Sequence, residues 1–287
     1  MLPQGAIDSW RLLTERQPKV VIGVGGYSSG PVVLMAALRG IPTMVLEQNA
    51  VPGLTNRLLA PWVRAAAVTY DQARSYFRGK AIVTGNPVRA EFFAPVAPMA
   101  SNGGARRVPR LLILGGSQGA HAINVALQDA ATELARRAGG LEVVHQTGDR
   151  DLAATEAAYR SAGLAARVAS FLDGVAAEMQ AADLLVCRAG ATTLAELAAS
   201  GRPAVLVPFP AATDDHQRKN AQVLAGAGAA VMLEERDLTG SRLAAEVNSL
   251  LDDTSKRQAM AQAMRTFARP NAAAMIVDRV LALAGVS

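Results

Sequence analysis

A chain of 287 residues that is 51% hydrophobic and 18% charged has enough apolar surface for two α/β domains of ordinary size, which excludes a disordered chain. Its 4% aromatic content disfavours an aromatic-rich β-sandwich. Its single cysteine, Cys187, excludes an internal disulfide and points to a reducing compartment.

Residues 1–10 show no basic region followed by an apolar core, so no signal peptide is expected. No apolar run reaches the roughly 20 residues of a membrane-spanning helix. The net charge of +5 is unevenly placed: residues 1–110 hold 13 Lys/Arg against 5 Asp/Glu, and residues 111–287 hold 16 against 19. The first part is expected to meet an anionic membrane face or a phosphate-bearing substrate, or else to carry ordinary solvated arginines. Nucleic acid is not expected, because no aromatic residues interleave the basic ones.

Residues 1–18 read as a helix that leads into an apolar run at 20–24. Further strands are predicted at 43–46, 65–69, 81–84, 111–114, 141–146, 167–169, 184–187, 204–207 and 230–233. Most are short, apolar throughout and bounded by Gly, Pro or Asp, as in strands buried on both faces of a parallel sheet. Helical patterns lie between them, clearest at 120–138, 151–162 and 215–225. This alternation predicts repeated βαβ units and a doubly wound α/β architecture. The Pro- and Gly-rich segment 94–109 reads as an interdomain linker. The expected division is a first domain over 1–98, a linker over 99–109, a second domain over 110–270, and a closing helix over 271–287 that packs back on the first. The last two helices, at 255–268 and 271–283, are split at Arg269-Pro270.

Three strand–turn–helix junctions in the second part can carry chemistry. Gly115-Gly116-Ser117-Gln118-Gly119-Ala120 follows a strand and opens a long helix. Glycines let backbone pass close to a phosphate, helix N–H groups attract it, and Ser117 adds a hydroxyl donor. The same residues also make a plain tight turn. A nicotinamide dinucleotide is disfavoured, since the spacing is not G-x-G-x-x-G and no acidic residue ends the next strand. At the second junction, Glu196 can accept two hydrogen bonds from a ribose diol, while Thr193-x-x-Glu196 reads equally as a capping box. Cys187, in the apolar run before that turn, reads as inert core rather than as a nucleophile. At the third junction, His216 can act as a base and Gln217 can bond a sugar hydroxyl. Asp214 and Asp215 either bind a metal or cap the next helix. His121 and His145 have no partner pattern and read as structural or surface residues.

The first part holds Gly25-Gly26-Tyr27-Ser28-Ser29-Gly30-Pro31, Glu47-Gln48-Asn49 and Gly85-Asn86-Pro87-Val88-Arg89. Each follows a predicted strand, so all three can gather at one sheet edge. Arg89 can hold a phosphate as a charged fork. Each also reads as an ordinary βα turn.

Taken in order, GGYSSGP, LEQNAVPGLTNR, TGNPVR, LGGSQGA, HQTG, VCRAGATTLAEL and DDHQ resemble the MurG family of bacterial glycosyltransferases from about residue 10 to the C-terminus. The resemblance implies a GT-B fold: two Rossmann-like, doubly wound parallel-sheet domains, here with the first one incomplete. It implies UDP-N-acetylglucosamine as donor and an undecaprenyl-pyrophosphate-linked muramoyl-pentapeptide as acceptor. It also implies a peripheral place on the anionic cytoplasmic face of the inner membrane, with no cofactor and no metal. On the same resemblance, Ser117 and its turn hold the diphosphate and Glu196 binds the ribose diol. Leu172 lies by the uracil, and Ala191, Thr192, Thr193, Leu194 and Ala195 line the donor pocket. Gln217, with His216 beside it, contacts the sugar or diphosphate, and Asn49 and Arg89 reach the site from the first domain. The implied reaction is a single inverting displacement at the anomeric carbon.

One departure stands out. The family opens on a strand and a GGTGGH turn whose histidine is its candidate base. Here Met1 falls within what resembles a later helix, one tied to membrane contact. The sequence therefore leads one to expect a start upstream of Met1, and it leaves the catalytic base unassigned. A noncatalytic UDP-sugar-binding remnant is the alternative reading. So is another GT-B enzyme, although such an enzyme is not expected to share the EQNAVPGLTNR and TGNPVR pair.

Overall fold

The computed structural model describes residues 2–94, 108–116 and 119–286. In chain order the elements are α1 (Leu2–Arg16), β1 (Val21–Gly23), α2 (Ser29–Leu38), β2 (Thr43–Glu47), α3 (Leu54–Leu59), β3 (Ala65–Val68), β4 (Ala81–Val83), β5 (Arg110–Leu114), α4 (His121–Ala135), β6 (Glu142–Gln146), α5 (Leu152–Ala162), β7 (Ala166–Ala169), α6 (Val175–Ala181), β8 (Leu184–Cys187), α7 (Ala191–Ser200), β9 (Ala204–Leu206), α8 (His216–Gly226), β10 (Ala230–Met232), α9 (Gly240–Asp252), α10 (Thr254–Arg265) and α11 (Ala272–Ala284). Each strand expected from the sequence is present, with its ends moved by no more than one residue. The helix expected over 120–138 stops at Ala135, because a turn at 136–140 ends on two positive-φ glycines, Gly139 and Gly140. Most of the expected linker, residues 95–107, lies outside the described residues.

The chain forms two compact units: Met1–Val88 with Ala212–Asn220 and Arg269–Ser287, and Arg89–Ala211 with Ala221–Ala268. In the first, four parallel strands run in the order β1-β2-β3-β4. The pleat sends alternate residues to opposite faces. Val45, Ala66 and Val68 pack with Val33, Leu59, Val63 and Phe77. Met44, Ala65 and Ala67 pack instead with Ile276 of α11. Arg89, expected in the first domain, belongs to the second unit.

The second unit holds six parallel strands in the order β10-β9-β8-β5-β6-β7. Leu111, Ile113, Val143, Leu184, Val186 and Val205 build one continuous core with α4 and α9. Strand β5 comes first in sequence yet sits inside the sheet, between β8 and β6. Strand order therefore reverses between β5 and β8. In an open α/β sheet the crevice beyond the carboxyl ends of such a pair is where ligands bind.

Candidate functional site

The turn that leaves β5 lies over the end of β6. Gly115 N–H donates to the Gln146 carbonyl at 3.1 Å, and Gln146 Nε2 donates to the Gly116 carbonyl at 2.9 Å. A Cβ on Gly119 would sit 2.2 Å from the Thr147 carbonyl oxygen, and Gly119 has φ +74°. Glycine is therefore required there by both space and conformation. Ser117 and Gln118 lie outside the described residues.

Beneath this turn runs a chain of polar side chains whose direction can be worked out. Asn124 is buried and spends its Nδ2 on the Thr147 carbonyl at 2.9 Å and on Asp151 Oδ2 at 2.7 Å. Its Oδ1 must then accept from His145 Nε2–H, at 3.0 Å. That leaves His145 Nδ1 to accept from the Tyr159 hydroxyl at 2.8 Å. Burial lowers the His145 pKa to about 3, against a smaller opposing effect of Asp151, so the imidazole stays neutral. Burial pushes the Asp151 carboxyl up, but hydrogen bonds from Asn124 and His121 and the nearby charges of His121 and Arg150 hold it below its ordinary range. His121 thus has a partner that the sequence did not suggest: its Nδ1 lies 3.0 Å from Asp151.

Across the switch point, Gly190 in extended backbone (φ −66°, ψ 142°) starts α7 and supplies no side-chain cap. This corrects the capping-box expectation: Thr193 is the third helical residue and Glu196 lies in the second turn. Helix α4 also begins without a side-chain cap, whereas α9 and α10 are capped by Thr239 and Asp253. The N-cap residues of α4 and α7, Ala120 and Gly190, carry no side chain that could accept from the first helical N–H groups, and helix starts of this kind suit an anion. Glu196 is half-buried; burial raises its pKa, Arg89 lowers it and Glu91 raises it. Arg89 itself is exposed and pairs with Glu91 at 3.0 Å. Leu172 and Leu194 are buried. Burial, with a smaller push from Glu196, raises the Cys187 thiol to about 12, which leaves it protonated and inert. Arg188, for which the sequence suggested no role, pairs with Glu235 at 2.5 Å and donates to the Val207 and Pro208 carbonyls. It ties the ends of neighbouring strands together.

In the first unit a cavity of about 250 Å³ lies beyond β1 and β2, lined among others by Gly25, Gly26, Asn49, Thr213, Asp214 and His216. Four N–H groups converge on the buried carboxylate of Glu47. Oε1 accepts from Asn49 N and Asn49 Nδ2 at 2.9 and 3.1 Å, and Oε2 from Gly53 N and Asn56 Nδ2 at 3.1 and 2.9 Å. Asn220, fully buried on α8, donates from Nδ2 to Asn49 Oδ1 at 3.0 Å and accepts from Ala50 N–H at 2.8 Å. His216 Nδ1 donates to the Thr213 carbonyl. Asp214 and Asp215 both sit at left-handed φ, 53° and 56°, and their carboxylates pair with Arg57 and Arg218. Among the described residues no group of three or more His, Cys, Asp or Glu is placed to hold a metal. The glycine of GNPVR has a packing reason: a Cβ on Gly85 would meet Arg269 Cγ at 2.4 Å. Gln217 is partly buried on α8, two residues after Asp215.

Two parallel-sheet α/β units, with glycine-lined helix starts at the switch point of the second, are the architecture of the GT-B fold. Residues 110–276 match the glycosyltransferase family 28 C-terminal domain, and residues 2–68 match the N-terminal domain of that family. A protein of Anaeromyxobacter dehalogenans named UDP-N-acetylglucosamine--N-acetylmuramyl-(pentapeptide) pyrophosphoryl-undecaprenol N-acetylglucosamine transferase is 48% identical over 279 residues, 97% of this chain and 72% of its own. A protein of the same name from Syntrophus aciditrophicus is 46% identical over 98% of this chain and 78% of its own. The crystal structure of Acinetobacter baumannii MurG superposes with a TM-score of 0.84 at 33% identity, over 98% of this chain and 80% of that one. The chain therefore belongs to glycosyltransferase family 28 and, within it, to the MurG family. A UDP-GlcNAc 2-epimerase from Neisseria meningitidis, at 13% identity and a TM-score of 0.68, shares the fold.

Proposed function

We propose that this chain transfers N-acetylglucosamine from UDP-N-acetylglucosamine to the 4-hydroxyl of an undecaprenyl-pyrophosphate-linked muramoyl-pentapeptide, with inversion, in peptidoglycan synthesis. The observation that carries this reading is the 48% identity, across 97% of the chain, to a protein named for that reaction. The uncapped starts of α4 and α7 at the switch point support it.

In this reading Ser117 and the N–H groups around it receive the diphosphate of the donor. Glu196 accepts from the ribose diol, the backbone at Leu172 lies by the uracil, and residues 191–195 line the pocket. Gln217, with His216 beside it, and Arg89 contact the donor's sugar or phosphates. Asn49 lines the cavity that takes the acceptor. The acceptor hydroxyl attacks the anomeric carbon as the UDP–sugar bond breaks. Charge on the leaving diphosphate is stabilised by fixed N–H dipoles, and a positioned base assists the attack.

The enzyme works at the cytoplasmic face of the bacterial inner membrane. Ile7, Trp10 and Leu12 of α1 are exposed, and Arg39 lies 4.6 Å over the Trp10 ring, a mixture suited to an anionic lipid surface. No helix among the described residues is long and apolar enough to cross a membrane.

Calorimetric titration of the full chain with UDP tests the donor site. Glu196→Ala is expected to weaken UDP about tenfold and 2′-deoxyuridine diphosphate much less. No UDP binding by the parent sinks the reading, and equal losses for the two nucleotides remove the ribose role of Glu196.

A further inference from the structure

A glycine turn has little stiffness of its own, so the place of the turn after β5 is set by what it rests on. Gly115 and Gly116 are each hydrogen-bonded to Gln146, and Gly119 lies so close to the Thr147 carbonyl that no Cβ fits between them. Asn124 of α4 holds that same carbonyl through Nδ2 at 2.9 Å. It can do so only while its NH₂ end faces Thr147. Asp151 Oδ2 fixes the amide that way round by taking the second N–H at 2.7 Å, and His145 Nε2–H fixes the other end by donating to the amide oxygen at 3.0 Å. His145 can donate there only in one of its two neutral tautomers. The Tyr159 hydroxyl favours that tautomer by bonding Nδ1 at 2.8 Å.

His145, Asn124 and Tyr159 are all buried, so these bonds cannot be exchanged for bonds to bulk water. Apolar side chains would fill the same space at a lower desolvation cost. What they could not do is hold a backbone carbonyl at a fixed point under a glycine turn.

We propose that His145 is a positioning residue for the diphosphate of the sugar donor: through Asn124 and the Thr147 carbonyl it holds the glycine turn where its N–H groups meet the phosphates. This rests on the donor-site reading above. His145 is buried and acts through its neighbours, so its effect falls on the phosphates and spares the nucleoside.

The test measures binding of UDP to the full chain by calorimetry, and of uridine by competition against UDP, for the parent and three variants. In His145→Gln the amide nitrogen reaches the place of Nε2 and again donates to Asn124. In His145→Asn the shorter amide reaches only the place of Nδ1, and the donation is lost. His145→Leu fills the space with no donor at all. UDP is expected to bind about tenfold more weakly to the Leu and Asn variants and within about twofold of the parent to the Gln variant, with uridine unchanged throughout. The Asn variant carries the test if the Leu variant does not fold. Nitrogen NMR of the histidine-labelled parent checks the premise: the chain has three histidines, the signal missing from His145→Gln belongs to His145, and its proton should sit on Nε2.

Parent-like UDP binding by the Leu or Asn variant, equal losses for UDP and uridine, a Gln variant as weak as the Asn variant, or a proton on Nδ1 each overturns the proposal. If uridine is too weak to compete, the UDP affinities of the Gln and Asn variants decide. A parent that binds neither ligand overturns the donor-site reading instead.

Discussion

Glu47 is the residue whose chemistry is least replaceable by shape. All four groups it bonds are N–H donors, and a carboxamide would turn a donor towards two of them. Glu47→Gln, isosteric though it is, is therefore expected to cost about 2 kcal/mol, read from urea midpoints. Gly119→Ala should cost roughly 3 kcal/mol, because the new Cβ would meet the Thr147 carbonyl, and it should weaken UDP binding through the same turn. His145 gives a pH signature. Its folded pKa of about 3 lies below the ordinary 6.5, so below 6.5 the unfolded chain binds a proton that the native one refuses. Its contribution to stability is complete above about pH 6.5 and is lost as pH falls towards 3. The parent's urea midpoint should fall more between pH 7 and pH 4.5 than that of His145→Gln. A parallel fall would remove His145 as the cause. Motif spacing drew attention to Glu47 and Gly119. It did not draw attention to Asn124 or Asn220, and it left His145 of HQTG without a partner, because each bonds a residue at least 20 positions away.

At the scale of elements, the strands were legible because apolar runs of three to five residues between turn-formers have few other uses in such a chain. Helix starts were less legible. The Thr193-x-x-Glu196 pattern is a capping box by spacing, yet α7 begins at Ala191. An extended Gly190 turns the chain into a helix two residues before Thr193, so the hydroxyl never reaches the cap position. Arg257 shows the same limit. It is buried and donates to the Leu250 and Leu251 carbonyls, which closes the end of α9 from within α10, and no motif or spacing marks it for that place. Helix α11 illustrates packing across sequence distance: Ile276 shares a cluster with Met44, Ala65 and Ala67. Ile276→Ala should cost about 2–4 kcal/mol. By hydrogen exchange the loss should appear in β2 and β3 and leave β5 and β8 protected. Loosening of both sheets alike would argue against a local role for α11.

At the scale of the molecule, charge and apolar exposure fall in the same part of the chain. Residues 1–110 carry the excess of basic residues, and α1 carries exposed Ile7 and Trp10. The full chain is expected to sediment with vesicles containing phosphatidylglycerol and not with phosphatidylcholine alone. Trp10→Ala and added salt should each weaken the association several-fold; indifference to both would detach this surface from the membrane. The sequence by itself determined the class of fold, the ten strands and the family, because buried-strand periodicity and seven motifs in order are properties of the one-dimensional string. Only the tertiary structure decided that strand order reverses between β5 and β8, that Arg89 belongs with the second unit, and that Asn220 fixes Asn49. Strand order and side-chain partnership are contacts between distant residues. The string specifies them only through the packing of the whole, since each such contact depends on where every intervening element has already been placed.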